Sequence, residues 1–416
     1  MDKIIIEGRN KLSGSVNISG SKNAALPIIA STILTAKECV LTNVPRLNDV
    51  LVMNKLIKTV GGETDFTGNT LCIRNKNITN FKAPYDLVKT MRASVYVMGA
   101  LLGRYRQAEV ALPGGCVIGE RPINLHLQGF ERMGAKITIE HGYIKAKAKK
   151  LKGAEINFDV VSVGATANII MAAVLAEGKT IISNAACEPH IADLARFLNT
   201  LGAKISGYGN KEIEIRGVPE LKGCKYEITP DYIEAGTFMA AAGITNSKIT
   251  INNAPLDHLE IIIHKLEEAG CKIKKTGTKL TVQGIERPKP AGIETRPYPG
   301  FPTDMQAQWS AFMSLSSGAS IINETIWEKR FMHIPELNRM GANISVKGNT
   351  AVVEGVAGLS GAPVMVSDLR AGASLVLAGL RAKGTTEISR IYHLDRGYER
   401  IEKKFEMLGA RIKRVK

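Results

Sequence analysis

Apolar and small residues recur along this chain at a fixed period. An amphipathic helix pattern closes six times in one signature: "VGGET" from 60, "MGAKI" from 133, "LGAKI" from 201, "AGCKI" from 269, "MGANI" from 340 and "LGARI" from 408. The aligned glycines are Gly62, Gly134, Gly202, Gly270, Gly341 and Gly409, spaced 68 to 72 residues apart. Self-similarity at a fixed period marks a repeated structural unit. A glycine just past the last apolar turn predicts a left-handed helix cap, with a strand starting beyond it.

Strand-like segments precede each of these helices: "CVLTNVP" (39–45), "AEVALPG" (108–114), "TIISNAA" (180–186), "KITINNAP" (248–255), "SIINET" (320–325) and "TTEISRI" (385–391). A further helix precedes each strand. After each cap, period-2 alternation with Gly and Pro in mid-stretch predicts a β-hairpin, as in 212–228 and 351–366. The sixth copy reaches residue 416 without its hairpin, while 3–19 carries the same pattern as 351–367. The chain is therefore read as six αβαββ units, three per lobe, offset circularly. Residues 21–229 form the first lobe, and 1–20 plus 230–416 form the second, discontinuous one. The active site is expected in the cleft between lobes, where ligands favour binding.

Composition narrows the class. A chain of 416 residues suggests two or three domains. The longest uncharged apolar runs, "AALPIIASTIL" (24–34) and "ANIIMAAVLA" (167–176), fall short of the roughly 18 to 20 residues of a spanning helix. The N-terminus lacks a signal-peptide core, so a cytoplasmic protein with no membrane span is expected. Six cysteines form no CxxC pair, so neither a zinc site nor a disulfide framework is expected. A net charge of +16 attracts polyanions. No basic tract dominates, "KAKAKKLK" (145–152) being the densest, and aromatics are 5%. Base stacking needs aromatic platforms, so small anionic substrates fit better than nucleic acid.

The marked polar residues lie where strands hand over to helices. "SGSKNAAL" puts Lys22 and Asn23 at a helix start, and "KTMRAS" places Arg92 in the second unit. "VVSVGAT" sets Ser162, Val163 and Gly164 before another helix. "FPTDMQAQ" and "VSDLRAGAS" do the same for Asp304 and for Asp368 with Arg370. Unpaired N–H groups and the helix dipole make such ends anion sites. With Lys22, Arg121, Arg330, Arg370 and Arg396, converging ends would hold a phosphate and a carboxylate without a metal. Ser162, Asp304 and Asp368 equally suit plain helix N-caps. His126, His190 and His393 read as structural. Cys116 stands apart: "PGGCVIGERP" (113–122) is too rich in Gly and Pro for a regular element, and Arg121 follows five residues later. Nearby cations and oriented N–H groups lower a thiol's pKa. Such a thiol serves as nucleophile or proton donor.

Taken together, "GSKNAALPI", "PGGCVIGERP", "SVGATAN", "YPGFPTDMQAQ", "RFMHIPEL", "SDLRAGASLVLAGL" and "YHLDRGYER" span the whole chain. In this order they resemble the enolpyruvyl transferase family, in its UDP-N-acetylglucosamine branch. The resemblance implies an α/β fold of two similar inside-out α/β barrel lobes, each of three repeats. It implies transfer of the enolpyruvyl group of phosphoenolpyruvate to the 3-hydroxyl of UDP-N-acetylglucosamine with release of phosphate, the first committed step of peptidoglycan synthesis. An addition–elimination route with no metal or cofactor accompanies it. By the same resemblance Lys22, Asn23, Arg121, Arg370 and Arg396 bind phosphoenolpyruvate. Asp304 is the base near the sugar hydroxyl, and Asp368 lies beside the reacting carbons. Cys116 is the proton donor, forms a covalent adduct and is alkylated by fosfomycin. Arg92, Arg121, Pro122, Ile123, Asn124, Leu125, Ser162, Val163, Gly164, Asp304, Ile326 and Arg330 contact the UDP-sugar. The chain departs from the family's frequent residues at Asn124 (Asp), Val160 (Lys), His190 (Glu) and Trp327 (Phe). The sister synthase acting on shikimate 3-phosphate lacks the "PGGC" thiol, which this chain has.

Overall fold

The computed structural model describes residues 2–112 and 123–416. Among these, strands form six four-stranded sheets. The chain divides into two units, one within 20–229 and the other comprising 2–19 and 230–416. Three sheets belong to each.

All six sheets share one plan. In one, Asn343–Lys347 and Thr350–Glu354 form a hairpin through a two-residue turn at Gly348, whose φ of 61° suits a primed turn. Thr350–Glu354 pairs antiparallel with Ala319–Asn323, which then takes Ile293–Glu294 as a short parallel edge. Alternate residues of Thr350–Glu354 are buried, so one face of the sheet covers the core.

Two kinds of helix lie behind the sheets. Every residue of Tyr232–Ile244 and of Gln306–Met313 is buried. So is Val163–Ala173 from Ala165 onward. Helices apolar on all sides belong in an interior, and the lobes are in this sense inside-out. Small residues allow close approach: a methyl on Gly99 of Tyr96–Tyr105 would lie 2.4 Å from the Asn168 carbonyl oxygen of Val163–Ala173. The other kind is amphipathic. Asn48–Thr59 buries Asp49, Val50, Met53, Leu56 and Ile57, one stripe at helical spacing. Each unit has its own apolar core.

The helix caps occur at five of the six aligned glycines: Gly134, Gly202, Gly270, Gly341 and Gly409 have φ of 90–102°. Gly202 illustrates the bond pattern: its N–H donates to Asn199 O, and Ala203 N–H donates to Leu198 O. In the first copy Gly61, at φ 105°, takes the cap instead of Gly62. Gly62 is needed for space, since a methyl there would meet Asn75 Oδ1 at 2.3 Å.

The hairpins expected at 212–228 and 351–366 are not hairpins. Glu212–Arg216 pairs with Lys204–Ser206, whereas Cys224–Glu227 crosses to another sheet, parallel to Cys39–Thr42. Likewise Thr350–Glu354 and Pro363–Met365 belong to different sheets. The intervening Gly and Pro mark crossovers. The long connections let the second strand reach a distant parallel partner, which a tight turn forbids. At the N-terminus, Lys3–Glu7 pairs with Thr385–Ser389 and Ile412–Val415 to complete the sixth sheet. Ser15–Asn17 joins a different one, parallel to Lys248–Asn252.

Candidate active site

In the unit comprising 2–19 and 230–416, three interior helices begin at acidic residues. Asp231 caps Tyr232–Ile244, its Oδ1 accepting from Ile233 N (2.8 Å) and Glu234 N (3.2 Å). Asp368 caps Leu369–Arg381, accepting from Arg370 N (2.9 Å) and Ala371 N (3.2 Å). Asp304 does something else. It sits in the short turn Thr303–Met305 that opens Gln306–Met313, and that turn has no side-chain cap bond. Its two carboxylate oxygens instead accept from Arg330 Nη2 (2.7 Å) and Arg370 Nη2 (2.8 Å).

Both arginines are interior groups, 5% and 1% exposed. A buried guanidinium is tolerated only when paired. Burial works to strip the charge from Arg370, but Asp304, then Tyr398 and Asp231, more than reverse this, and the group stays charged. Its plane lies 5.3 Å from the Tyr398 ring centroid. The Tyr398 hydroxyl shares a hydrogen bond with Thr237 (2.8 Å) and accepts from Gln308 Nε2 (3.1 Å). Arg370 Nε and Nη1 are buried and meet no hydrogen-bond acceptor among the described residues.

Glu324 positions the other arginine. Buried to 2% exposure, it accepts four hydrogen bonds: from Thr295 Oγ1 (2.8 Å), Thr303 Oγ1 (2.7 Å), Ile326 N (2.9 Å) and Trp327 N (3.0 Å). Thr303 Oγ1 in turn accepts from Arg330 Nη1 (2.9 Å). One carboxylate therefore fixes both Arg330 and the backbone at Ile326. Arg396 ends the short helix Leu394–Arg396 and is partly buried. Leu394 packs on the Asp368-capped helix at Gly372, where a methyl would meet it at 3.1 Å. Its neighbour His393 is pushed down in pKa by burial first, then by Arg396, with Asp368 opposing.

The unit within 20–229 is built alike. Ser21 caps Lys22–Ser31, accepting from Ala24 N (3.3 Å). Lys22 and Asn23 are thus the helix's first two residues, with Lys22 Nζ 3.6 Å from Asp49 Oδ2. Ser162 caps Val163–Ala173 through Ala165 N (3.3 Å), so Val163 and Gly164 open that helix. Ile123, Asn124 and Leu125 stand at the start of Asn124–Arg132, and Arg92 opens Arg92–Val95. His126 joins three of these places. Its Nδ1 accepts from Asn168 Nδ2 (2.8 Å), Asn168 being oriented by Gly99 N–H donating to its Oδ1 (2.8 Å). A methyl on Gly164 would meet the His126 ring at 3.0 Å. Burial, then Arg92, holds His126 down at about 3.

Cys116, Arg121 and Pro122 lie outside the described residues. Of the remaining sequence-derived candidates, the structure brings Asp304, Arg330 and Arg370 into contact and sets Asp368 and Arg396 beside one another's helices. It groups Arg92, Leu125 and Gly164 around His126. Ser162 and Asp368 are N-caps, and Asp304 is not. Sequence reasoning missed Asp231, His333, Glu324 and Tyr398. Asp231 had a signal, an acidic residue before an apolar helix like that of "SDLRAG"; Glu324 had none. Val160 is 64% exposed. The described residues contain no cluster of three His, Cys, Asp or Glu suited to a metal, and no helix long and apolar enough to cross a membrane.

Two of the buried histidines, His126 and His333, predict an acid response. His333 is 1% exposed, and burial holds it down at about 4. Both stay neutral in the folded chain at pH 5, where an unfolded-chain imidazole of pKa about 6.5 is charged. Unfolding then takes up protons, so their contribution is lost as pH falls from about 6.5 towards 4 for His333 and 3 for His126. Asp193 and Glu234, raised by burial, act in the opposite sense. The variant difference isolates the effect. His126→Gln should flatten the stability–pH slope near pH 5 by about 1.4 kcal/mol per unit. Urea unfolding at pH 6.5, 5.5 and 5.0 measures it, and an unchanged slope would exclude His126 as the source.

A family model described as EPSP synthase (3-phosphoshikimate 1-carboxyvinyltransferase) matches residues 6–405. The chain is 56% identical over 416 residues to a UDP-N-acetylglucosamine 1-carboxyvinyltransferase of Geobacter metallireducens, covering all of both chains. It is 55% identical over 415 residues to that of Geotalea uraniireducens, again covering all of both. Among solved structures it is similar to the enolpyruvyl transferase NikO from Streptomyces tendae, with a TM-score of 0.90, 24% identity, and 100% and 99% of the two chains covered. EPSP synthase from Acinetobacter baumannii follows at a TM-score of 0.76 and 18% identity, with both chains fully covered. At these identities the structural likeness establishes the fold.

Proposed function

The chain belongs to the EPSP synthase family of enolpyruvyl transferases, and on that premise we propose how its own residues carry out the reaction of its UDP-N-acetylglucosamine branch. It transfers the enolpyruvyl group of phosphoenolpyruvate to the 3-hydroxyl of UDP-N-acetylglucosamine and releases phosphate, for peptidoglycan synthesis. What carries this choice of branch is the 56% identity, end to end, to a relative bearing that activity's name. The substrates are metabolites of the cell interior, which fits a cytoplasmic enzyme.

The chemistry has four demands. The sugar hydroxyl must lose a proton as it adds to carbon 2. Carbon 3 must gain one. Positive charge developing at carbon 2 needs a nearby anion. Phosphate must then leave as carbon 3 gives its proton back. Asp304 suits the first demand as a carboxylate fixed in place by Arg330 and Arg370. Asp368 suits the third; its Oδ1 is engaged with the helix N–H groups, which holds the carboxylate in place. Cys116 is assigned the proton for carbon 3. Lys22, Asn23, Arg121, Arg370 and Arg396 take the phosphate and carboxylate of phosphoenolpyruvate. Arg92, Arg121, Pro122, Ile123, Asn124, Leu125, Ser162, Val163, Gly164, Ile326 and Arg330 are assigned to the UDP-sugar.

The test is phosphate release from phosphoenolpyruvate, with and without UDP-N-acetylglucosamine, in the wild type and Cys116→Ser, with fosfomycin in parallel. Release should require the sugar and stop irreversibly with fosfomycin in the wild type only. Release that needs shikimate 3-phosphate instead would move the chain to the sister branch.

A further inference from the structure

Cys39 opens the strand Cys39–Thr42, and Cys224 opens Cys224–Glu227, the edge strand of the same sheet. The strands run parallel, with Cys39 the register partner of Cys224. Adjacent strands lie about 4.8 Å apart, within the roughly 4.4–6.8 Å Cα separation of a disulfide. Both side chains take the inward positions of their strands, in line with Leu41 and Tyr226. As register partners on one face of the sheet, the two thiols stand next to each other. Both are free, Cys39 fully buried and Cys224 half-buried.

The backbones are pinned together beside the pair. Cys224 N donates to Glu38 O (3.2 Å), and Thr35 Oγ1 donates to Leu221 O (2.8 Å). Gly223 approaches so closely that a methyl there would lie 2.3 Å from Glu38 O. The two backbones are already held at strand spacing beside the pair.

We propose that Cys39 and Cys224 form an oxidative modification site, in which a two-electron oxidant such as hydrogen peroxide converts the neighbouring thiols to an intramolecular disulfide. The half-buried Cys224 sulfur attacks one peroxide oxygen as the thiolate. The O–O bond breaks, and hydroxide leaves and is protonated to water. Cys39 Sγ then attacks Cys224 Sγ, the S–O bond breaks, and the departing hydroxide takes the Cys39 proton as a second water. Two thiols lose two electrons and two protons, and the peroxide is reduced to two waters. The division of labour follows from the pairing: the adjacent Cys224 thiol and then burial raise the pKa of Cys39, while Cys39 lowers that of Cys224. The more accessible thiol is the more ionised one, as a site of first attack requires.

The bridge would close residues 39 to 224 into a ring holding most of its unit. Cross-links over long loops restrict the unfolded chain most. Oxidation should therefore raise the Tm of that unit by roughly 5 °C or more.

The experiment exposes the full chain to hydrogen peroxide, blocks remaining thiols with N-ethylmaleimide after unfolding, and maps peptides without reduction by mass spectrometry. Most molecules should yield a Cys39–Cys224 linked peptide that dithiothreitol reverses, together with the Tm rise. Cys224→Ala should lose both. The proposal is overturned if Cys224 is found as a sulfinate or joined elsewhere while Cys39 is alkylated. It is equally overturned if neither residue changes at peroxide levels that oxidise the other thiols. The wild-type peptide map decides the matter even if Cys39→Ala or Cys224→Ala folds poorly.

Discussion

Replacing Asp304 by asparagine is expected to lower kcat by about 10²- to 10⁴-fold, the range for losing a positioned general base. The same change should lower stability. Arg330 and Arg370 are 5% and 1% exposed, and Asp304 is their shared carboxylate. Removing one partner of a buried ion pair costs about 3–5 kcal/mol, chiefly by stranding charge. The Asp304 side chain is 26% exposed, so water takes up part of the lost interaction and the lower end of that range is expected. The asparagine oxygen can still accept from one arginine but not hold two. Steady-state kinetics with both substrates and urea unfolding separate the effects. A stability loss with kcat within about threefold of wild type would make Asp304 a structural counter-ion and remove it from the chemistry.

Glu324→Ala should be nearly as severe, by a different route. Four donors lose their acceptor at once: the Thr295 and Thr303 hydroxyls and the Ile326 and Trp327 N–H groups. Each buried donor left unpaired costs about 1–3 kcal/mol, reduced where water enters the space. A total of about 4 kcal/mol is expected, or a Tm lower by roughly 10 °C for a unit of this size. Function should follow, because Thr303 supports Arg330 and the Ile326 backbone is held directly. KM for the UDP-sugar should rise more than kcat falls. Glu324→Gln keeps one accepting oxygen and should lose about half as much stability. A Tm within 2 °C of wild type for Glu324→Ala would show that these bonds are replaced by water at no net cost.

Neither carboxylate advertised its task. "FPTDMQAQ" and "VSDLRAGAS" present the same signature, an acidic residue at the start of a helix. Yet Asp368 bonds its own helix's N–H groups, while Asp304 turns to guanidiniums 26 and 66 residues along the chain. Glu324, in "SIINET", looks like an ordinary polar residue after a strand. Its value comes from Thr295 and Thr303, brought to it from 29 and 21 residues away. The stretches 212–228 and 351–366 alternate as a hairpin does, but their second strands pair with Cys39–Thr42 and Thr385–Ser389. A three- or four-residue parallel strand carries no turn that names its partner.

The chain by itself determined the sixfold repeat, the helix ends and the interior helices. Those features rest on requirements met within a few residues: a positive φ that glycine adopts cheaply at 134, 202, 270, 341 and 409, and an apolar surface that has to be buried. Even there, the choice of Gly61 over Gly62 waited on Asn75 crowding the second glycine. Only the tertiary structure decided which strands share a sheet, which acid caps and which pairs, and which thiols stand side by side. Hydrogen bonds and ion pairs act over about 3 to 4 Å of space, and separation along the chain says nothing about that distance until the core has brought the elements together.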